Sequence, residues 1–328
     1  MTGQAELNFI LCGGAGINIG KKLKASQLSA RTKNASYLAL DASGNNRISE
    51  ADGIPLERIK AVGDVLAEGS GKVQSTNYAA AEPFVDQALS QYKPGIFNIV
   101  VCGTSGGSGS VIALLVCRWL KAKGITPIMI FLHDHSSQIE MRNSVNTMRS
   151  FKAQTSPDLL NETIPYLEFE NTPDKTRGEV DKQIIDRVST LTLFTTTVHE
   201  EMDRQDILHL LNYSKHYKVP PALAKISFIA DPSNYKGPVP VAVASLFESS
   251  DAIIASFPGT VIRSTGVFGE TDRPGNVSQL HMILDHGDAV KKVEVAMDEL
   301  DKRTSKVRSD FVQHKAETGG DAKGSFFD

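Results

Sequence analysis

Two glycine-rich loops, each directly after an apolar strand-like run, constrain the fold of this chain more than any other feature. The first reads Gly-Gly-Ala-Gly-Ile-Asn-Ile-Gly over residues 13–20. The second reads Gly-Thr-Ser-Gly-Gly-Ser-Gly-Ser over residues 103–110, before a helical run at 111–121. Glycines let backbone N–H groups approach a phosphate, and the start of a helix adds partial positive charge. One such loop is a weak signal, but two predict that several phosphate groups are held from two sides.

The bulk composition excludes several classes of protein. The 328 residues are 41% hydrophobic and 22% charged, as in a folded protein of one large domain or two modest ones. A net charge of −3 gives no basic footprint for nucleic acid. No apolar run approaches the roughly 18 residues of a membrane span. The first eight residues lack the apolar core of a signal peptide. Cys12, Cys102 and Cys117 lie in apolar runs, which is typical of buried free thiols in a reducing compartment. We therefore expect a cytoplasmic protein.

Short apolar runs alternate with helical stretches in the first half of the chain. The candidate strands are residues 8–12, 36–40, 98–102, 126–132 and 164–169, and the candidate helices are 17–30, 78–91, 111–123 and 140–153. This alternation predicts an α/β fold with a doubly wound, mostly parallel sheet. A long amphipathic stretch follows at 178–217 and ends at a Val-Pro-Pro sequence, which predicts a central helix.

The second half of the chain is richer in strands. Its candidate strands are residues 225–230, 240–244, 260–267 and 278–284, with one helix near 244–250 and a charged helix at 288–315. We expect five parts: a nucleotide-binding domain at 1–177, the central helix and an acidic loop at 178–217, a smaller α+β domain at 218–287, a long C-terminal helix at 288–316, and a flexible tail at 317–328.

The first loop alone also fits a different enzyme. Its Gly-x-Gly pattern, with Asp41 after the next candidate strand, is the layout of a dinucleotide fold, so an NAD-dependent dehydrogenase is one alternative. Such a fold does not need the second loop, which disfavours this alternative. Residues 69–72 match a P-loop only in part, because no glycine lies five positions before Gly71 and Val73 replaces the hydroxyl residue.

Together, the two loops resemble those of the tubulin/FtsZ superfamily of GTPases. Residues 105–110 look like the signature loop Gly-Gly-Gly-Thr-Gly-Ser-Gly, with Ser105, Ser108 and Val111 as departures, and residues 13–20 look like the first phosphate loop. The resemblance implies GTP or GDP, with Mg²⁺ as the charge neutraliser because the loops lack an obvious lysine. The implied phosphate-binding residues are Gly13, Gly14, Ala15, Gly16, Asn18, Ser105, Gly106, Gly107, Ser108, Gly109 and Ser110.

Further nucleotide contacts follow from the same resemblance. The loop that senses the γ-phosphate is implied to be Gly69, Ser70 and Gly71, with Asn77 nearby. Residues 140–143 resemble the tubulin Glu-Pro-Tyr-Asn stretch, whose glutamate holds the ribose, and two later residues correspond to contacts with the guanine base. The implied ribose and base residues are Glu140, Asn143, Asn171 and Asp181.

An acidic segment at residues 200–206 follows the predicted central helix. Its plain interpretation is a solvated helix face. In the family, catalytic acids lie here in an Asn-x-Asp-x-x-Asp pattern, and Asp203 and Asp206 have that spacing. If the chain is helical from Asp181 to Asp203, these residues lie about 33 Å apart. The acids would then act only on the nucleotide of a neighbouring molecule, and such a contact between unlike surfaces builds a filament.

The resemblance is greatest to phage tubulins of the PhuZ group and next to plasmid TubZ. It implies a cytoskeletal filament that hydrolyses GTP at a head-to-tail contact and positions phage DNA or capsids, through adaptors, in the host bacterial cytoplasm. The alternatives are a plasmid-partition filament and a nucleotide-binding scaffold that assembles without hydrolysis. Near the end of the tail, Phe326 and Phe327 are expected to dock on a neighbouring subunit, because burial of aromatic rings is favourable.

Overall fold

A ten-stranded sheet organises the part of the chain that the computed structural model describes, which is residues 6–26, 35–42, 52–54, 56–58, 78–196, 199, 201–250, 257–269 and 277–317. The strands are β1 (Leu7–Cys12), β2 (Ser36–Asp41), β3 (Leu56–Arg58), β4 (Phe97–Gly103), β5 (Pro127–Asp134), β6 (Ile164–Asn171), β7 (Leu223–Ile229), β8 (Ala242–Phe247), β9 (Ile262–Val267) and β10 (Gln279–Asp285). The α-helices are α1 (Gly13–Ala25), α2 (Tyr78–Gln91), α3 (Gly109–Ala122), α4 (Gln138–Gln154), α5 (Arg177–Thr196), α6 (Arg204–Leu211), α7 (Tyr213–His216) and α8 (Ala289–Glu317).

The strands pair in the order β3-β2-β1-β4-β5-β6-β7-β10-β8-β9. All pairings are parallel except those of β10, which is antiparallel to both β7 and β8. All strands other than β10 therefore share one direction, and their carboxyl ends lie along one edge of the sheet. We call it the carboxyl edge and the opposite one the amino edge. The predicted α/β fold with a mostly parallel sheet is confirmed.

The central strands are apolar on both faces because helices cover both faces. Phe9 and Leu11 of β1 pack on the side of α1 and α5, whereas Ile10 and Cys12 pack on the side of α2, α3, α4 and α8. The three cysteines are buried and form no disulfide, as expected. None of the helices in the described part of the chain is long and apolar enough to cross a membrane.

The helix predicted near 244–250 is wrong over its first four residues. Residues 244–247 belong to β8, whose side chains are all buried and which pairs with β10 on one side and β9 on the other. A short run of apolar residues lacks polar alternation, so its periodicity does not separate a buried strand from a helix. The short strand β3 was absent from the sequence prediction for a related reason, since three residues are too few to show a period.

The predicted bounds of two helices also need correction. The first glycine loop, residues 13–20, lies within α1 and forms its start, so the helix begins at Gly13 rather than at residue 17 and ends at Ala25 rather than at residue 30. The stretch 178–217 is not one helix. It divides into α5, which ends at Thr196, and two shorter helices, α6 and α7.

Candidate functional site

The two glycine loops touch each other at the carboxyl edge, where β1 and β4 lie side by side. Gly13 has a φ of 69°, and a Cβ atom on it would lie 2.6 Å from Cα of Gly109. A Cβ on Gly109 would in turn lie 2.7 Å from the carbonyl oxygen of Cys12. Both positions therefore require glycine, because the backbones of the two loops meet in direct contact. The sequence prediction that the loops act together is consistent with this contact.

The first loop forms the start of α1 and the second leads into α3, so two helix N-termini converge at the same place. α1 begins at Gly13 and α3 begins at Gly109. In both helices the N-cap side chain makes no capping hydrogen bond, and the first turn holds no acidic residue. Uncapped N–H groups and the positive ends of two helix dipoles favour a bound anion. A Cβ added to Gly106 would meet no described atom within 4 Å, so this part of the second loop borders open space.

A network of hydrogen bonds from side chains of β5 and α4 fixes the start of the second loop, and the sequence did not indicate it. Thr104 directly precedes the loop, and its Oγ1 lies 2.8 Å from Nδ1 of His133 and 2.9 Å from Oγ of Ser144. Its carbonyl accepts a 2.9 Å hydrogen bond from Thr147, and Asn143 donates a 3.1 Å bond to the carbonyl of Ser105. Strand β5 and helix α4 thereby position the loop. A buried histidine carries no sequence signal that separates this role from plain packing.

The predicted ribose and base residues lie on elements that reach the carboxyl edge, and each has a present partner. Ser137 caps α4 by accepting a 3.3 Å hydrogen bond from the backbone N–H of Glu140, and its hydroxyl donates a 2.9 Å bond to Oε2 of the glutamate. Asn171 ends β6 opposite Asp134, and its carbonyl accepts from the backbone of residue 135. Asp181 of α5 forms an ion pair with Lys22 of α1.

Of the other predicted nucleotide-binding residues named here, one is described by the structure and four are not. Asn18 is exposed on α1. Gly69, Ser70 and Gly71, with Asn77, lie outside the described residues. The nucleotide contacts predicted for these positions therefore stay predictions.

The described residues of the acidic segment, 201–206, form a turn that leads into α6, although the segment has no glycine or proline. Glu201 has a φ of 66°, and residues 199 and 202 exchange two backbone hydrogen bonds of 3.3 Å. Asp203 then caps α6 by accepting from the backbone N–H groups of Gln205 at 2.7 Å and Asp206 at 3.0 Å, while Asp206 accepts from the backbone of Asp203. The Asp-x-x-Asp spacing is thus also a helix capping box. A strong N-cap starts a new helix here, which is why the central helix is not continuous.

The acidic turn and the glycine loops lie at opposite edges of the sheet. Nη2 of Arg204 lies 2.6 Å from Oε1 of Glu6, the residue directly before β1. Gly13 directly follows the other end of this six-residue strand, so about 20 Å of strand separates the two features. The length estimate from a continuous helix is corrected, because α5 ends at Thr196, and the helix from Asp181 to that residue is about 22 Å long. The Arg204–Glu6 contact, and not the length of the helix, indicates that the acids lie far from the loops.

Comparison with known proteins shows that the sequence and the fold are similar to those of phage tubulin-like proteins. No protein-family model matches the chain. A phage tubulin-like protein of Pseudomonas phage PhiPA3 is 26% identical over 290 residues, which cover 86% of this chain and 85% of that protein. The phage tubulin PhuZ bound to GDP superposes with a TM-score of 0.79 at 18% identity, covering 92% of this chain and 93% of PhuZ. A TubZ protofilament from bacteriophage PhiKZ gives a TM-score of 0.77 at 20% identity, covering 99% and 96% of the two chains.

Proposed function

We propose that the chain is a GTP-dependent filament protein of the tubulin/FtsZ-like superfamily, because its sequence and fold are similar to those of phage tubulins. In this proposal GTP is hydrolysed where one subunit meets the next. One observation supports it: the glycine loops lie at the carboxyl edge, whereas Asp203 and Asp206 lie close in sequence to Arg204, which contacts Glu6 at the amino edge. A subunit cannot bring these acids to its own phosphates, whereas a head-to-tail neighbour can.

The proposed phosphate site is the junction of the two glycine loops. The chemistry of this junction fits a polyphosphate, because the N-termini of α1 and α3 converge there and carry no acidic residue in their first turns. Asn143 keeps the second loop against α4 through Ser105. Glu140, Asn171 and Asp181 are proposed for the ribose and the guanine base, and the Lys22–Asp181 ion pair must open for Asp181 to reach the base. Mg²⁺ is proposed to neutralise the phosphate charge.

The proposed chemistry is in-line attack of water on the γ-phosphate. Asp203 and Asp206 of the neighbouring subunit orient and polarise that water. The capping bonds engage Oδ1 of Asp203 and Oδ2 of Asp206 and so fix both carboxylates in one orientation. Loss of the γ-phosphate removes part of the contact between subunits, which couples hydrolysis to disassembly.

The deciding experiment follows light scattering and phosphate release together after GTP is added. We expect scattering to rise above a critical protein concentration, and phosphate release to rise with it. Assembly without phosphate release would support the non-hydrolysing scaffold. Binding of NAD without any response to GTP would support the dehydrogenase.

The cellular role is proposed from the relatives alone. Because the relatives named above are phage proteins, we infer a filament that acts in the host bacterial cytoplasm and positions phage DNA or capsids through adaptors. A plasmid-partition filament is the second candidate. Fluorescent labelling of the protein in infected cells separates them, since the first role requires filaments whose ends or flanks meet phage DNA.

A further inference from the structure

A buried polar cluster lies between the second glycine loop and α8, and the proposed function does not use it. His133 of β5 is fully buried, and its Nδ1 lies 2.8 Å from Oγ1 of Thr104. On β6, Glu170 is the register partner of His133, and Glu168 lies on the same face. Lys292 of α8 reaches both acids, with Nζ 2.5 Å from Oε1 of Glu170 and 2.9 Å from Oε1 of Glu168. The cluster thus joins the loop to the C-terminal helix.

Two buried atoms of this cluster, Nε2 of His133 and Oε2 of Glu168, have no hydrogen-bond partner among the described residues. Burial lowers the pKa of His133 to about 4, against the opposing charges of Glu168 and Glu170, so the ring is neutral near pH 7. The Thr104 hydroxyl has one proton and lies 2.8 Å from Nδ1 of His133 and 3.3 Å from the carbonyl oxygen of Leu132. We assign the proton to the shorter contact, so that Nδ1 is the acceptor and Nε2 carries the ring proton as a donor. Unpaired buried groups are unfavourable, so a small movement that pairs this donor with a carboxylate is favoured.

Ion pairs with lysine side chains hold Glu170 and Glu168 in their present positions. Although burial alone would raise it, the hydrogen bond and charge of Lys292 lower the pKa of Glu170, so this carboxylate is ionised. Glu168 has a second cation, Lys225, whose Nζ lies 2.7 Å from Oε1. Glu168 therefore keeps a partner if α8 moves. If α8 moves, Glu170 instead loses Lys292 and is left beside His133 and His135.

We propose that His133 is a positioning residue that couples the second glycine loop to α8 by exchange of a carboxylate partner. In this structure Lys292 holds Glu170. When α8 carries Lys292 away, Glu170 accepts a hydrogen bond from Nε2 of His133, and the ring draws Thr104 out of its present position. The inference rests on the proposed nucleotide site at this loop. Coupling between two sites is reciprocal, so a nucleotide bound at the loop also favours one position of α8.

A double-mutant cycle on GTP affinity tests the coupling. Lys292→Met is expected to weaken GTP binding by about fivefold or more, although Lys292 lies on α8 and not at the loops. His133→Asn keeps a polar group facing Thr104 but has nothing at the Nε2 position, so in that background Lys292→Met should have no further effect. Additive effects of the two changes, or parent GTP affinity in Lys292→Met, would overturn the inference.

The matched control is Arg149→Met. It removes another ion pair of α8, in which Nη2 of Arg149 lies 2.5 Å from Oε1 of Glu294, but it does not touch the cluster. This variant should bind GTP like the parent, and equal losses in both lysine and arginine variants would show general loosening of α8 instead. Circular dichroism confirms folding, and Lys292→Gln replaces Lys292→Met if the latter does not fold.

A second measurement needs no nucleotide. In imidazole ¹⁵N spectra of the nucleotide-free protein, Lys292→Met should move the Nε2–H proton of His133 downfield as it gains a carboxylate acceptor. Lys292→Arg retains the ion pair and should restore the parent spectrum. An unchanged His133 resonance in Lys292→Met overturns the inference. Failure of the parent protein to bind GTP counts instead against the proposed function, so the two failures are distinguishable.

Discussion

At the scale of single residues, the glycines differ in whether the structure leaves space for a Cβ atom. Gly13 has a φ of 69° and its Cβ would lie 2.6 Å from Gly109, whereas Gly124 has a φ of 76° and its Cβ would meet no described atom within 4 Å. Gly106 has neither a positive φ nor a described atom within 4 Å of its Cβ. Packing therefore requires glycine at position 13 and the backbone alone favours it at 124, whereas neither packing against the described residues nor a positive φ requires it at 106.

Substitution at Gly106 tests the phosphate site without disturbing the fold. We expect Gly106→Val to weaken GTP binding at least tenfold by blocking approach of the phosphate, while the free energy of unfolding stays within about 0.5 kcal/mol of the parent. Calorimetric titration with GTP and chemical denaturation measure the two quantities. Gly107 is buried and gives a less clean test. Parent affinity in folded Gly106→Val would show that the second loop does not hold phosphate.

The pair Gly13→Ala and Gly124→Ala separates packing from backbone strain. Both changes place a Cβ at a positive φ, which costs on the order of 1 kcal/mol of stability. Gly13→Ala also forces the two loops apart, so we expect it to destabilise the protein by about 1–3 kcal/mol more than Gly124→Ala does. Equal midpoints of urea denaturation for the two variants would contradict direct contact between the loops.

At the scale of elements, the acidic pair serves α6 as well as the proposed chemistry. Asp206→Ala should bind GTP and assemble but hydrolyse it slowly, giving long-lived filaments. Loss of its bond to the backbone N–H of Asp203, which is half of the capping box, should cost roughly 1 kcal/mol of stability. Asp206→Asn is the control, because it retains a capping oxygen without the charge. Slow phosphate release in both variants assigns the effect to the charge. A parent rate in Asp206→Ala would leave the pair as a capping box only.

The strand β10 contains a buried histidine, His281, whose pKa is lower in the folded protein than in the unfolded chain. Burial lowers the pKa of His281, which lies between the rings of Phe247 and Phe257, to about 4. In the unfolded chain a histidine titrates near 6.5, so between about pH 6.5 and 4 the unfolded state binds more protons and stability falls as pH falls. His281→Phe should make the unfolding free energy depend less steeply on pH in this window. Equal slopes for parent and variant would contradict the assignment.

At the scale of the whole molecule, the path of α8 decides where the tail is attached. Asp288 lies 3.6 Å from Lys152 near the end of α4, and Asp301 accepts a 2.7 Å hydrogen bond from Gln138 at the start of α4. The two helices are therefore antiparallel, and α8 points toward the carboxyl edge. Residues 302–317 add about 24 Å of helix beyond Asp301. The tail is thus attached on the side of the glycine loops.

Deletion of residues 318–328 should raise the critical concentration for assembly severalfold without changing the GTP affinity of the monomer. Each phenylalanine ring contributes on the order of 1.5–3 kcal/mol when buried at a contact, less the cost of ordering the tail. Phe326→Ser with Phe327→Ser should reproduce most of the effect, whereas Lys323→Ser should not. Sedimentation after GTP addition measures the critical concentration. The docking prediction fails if the deletion leaves this concentration unchanged.

Local features were predictable because they depend on residues close in sequence. The loops after β1 and β4, the parallel alternation of strands and helices, and the bounds of α2 follow from glycine pattern and apolar period within windows of about ten residues. The first helical residue of α1 was not predictable, because a helix that starts inside a glycine loop breaks the usual start signals. The nucleotide and catalytic roles of the site residues stay predictions.

Long-range contacts were decided only by the tertiary structure. The sequence placed Asp203 and Asp206 on or after a helix, but the contact of Arg204 with Glu6, 198 residues away, put them at the amino edge. Likewise, nothing near Thr104 in the sequence indicates His133, because that hydrogen bond depends on which strand lies beside β4. The sequence by itself determined which residues form the phosphate-type loops. Strand order decided what supports those loops and that the acids lie at the opposite edge of the sheet from them, since pairing of distant segments leaves no short-range pattern.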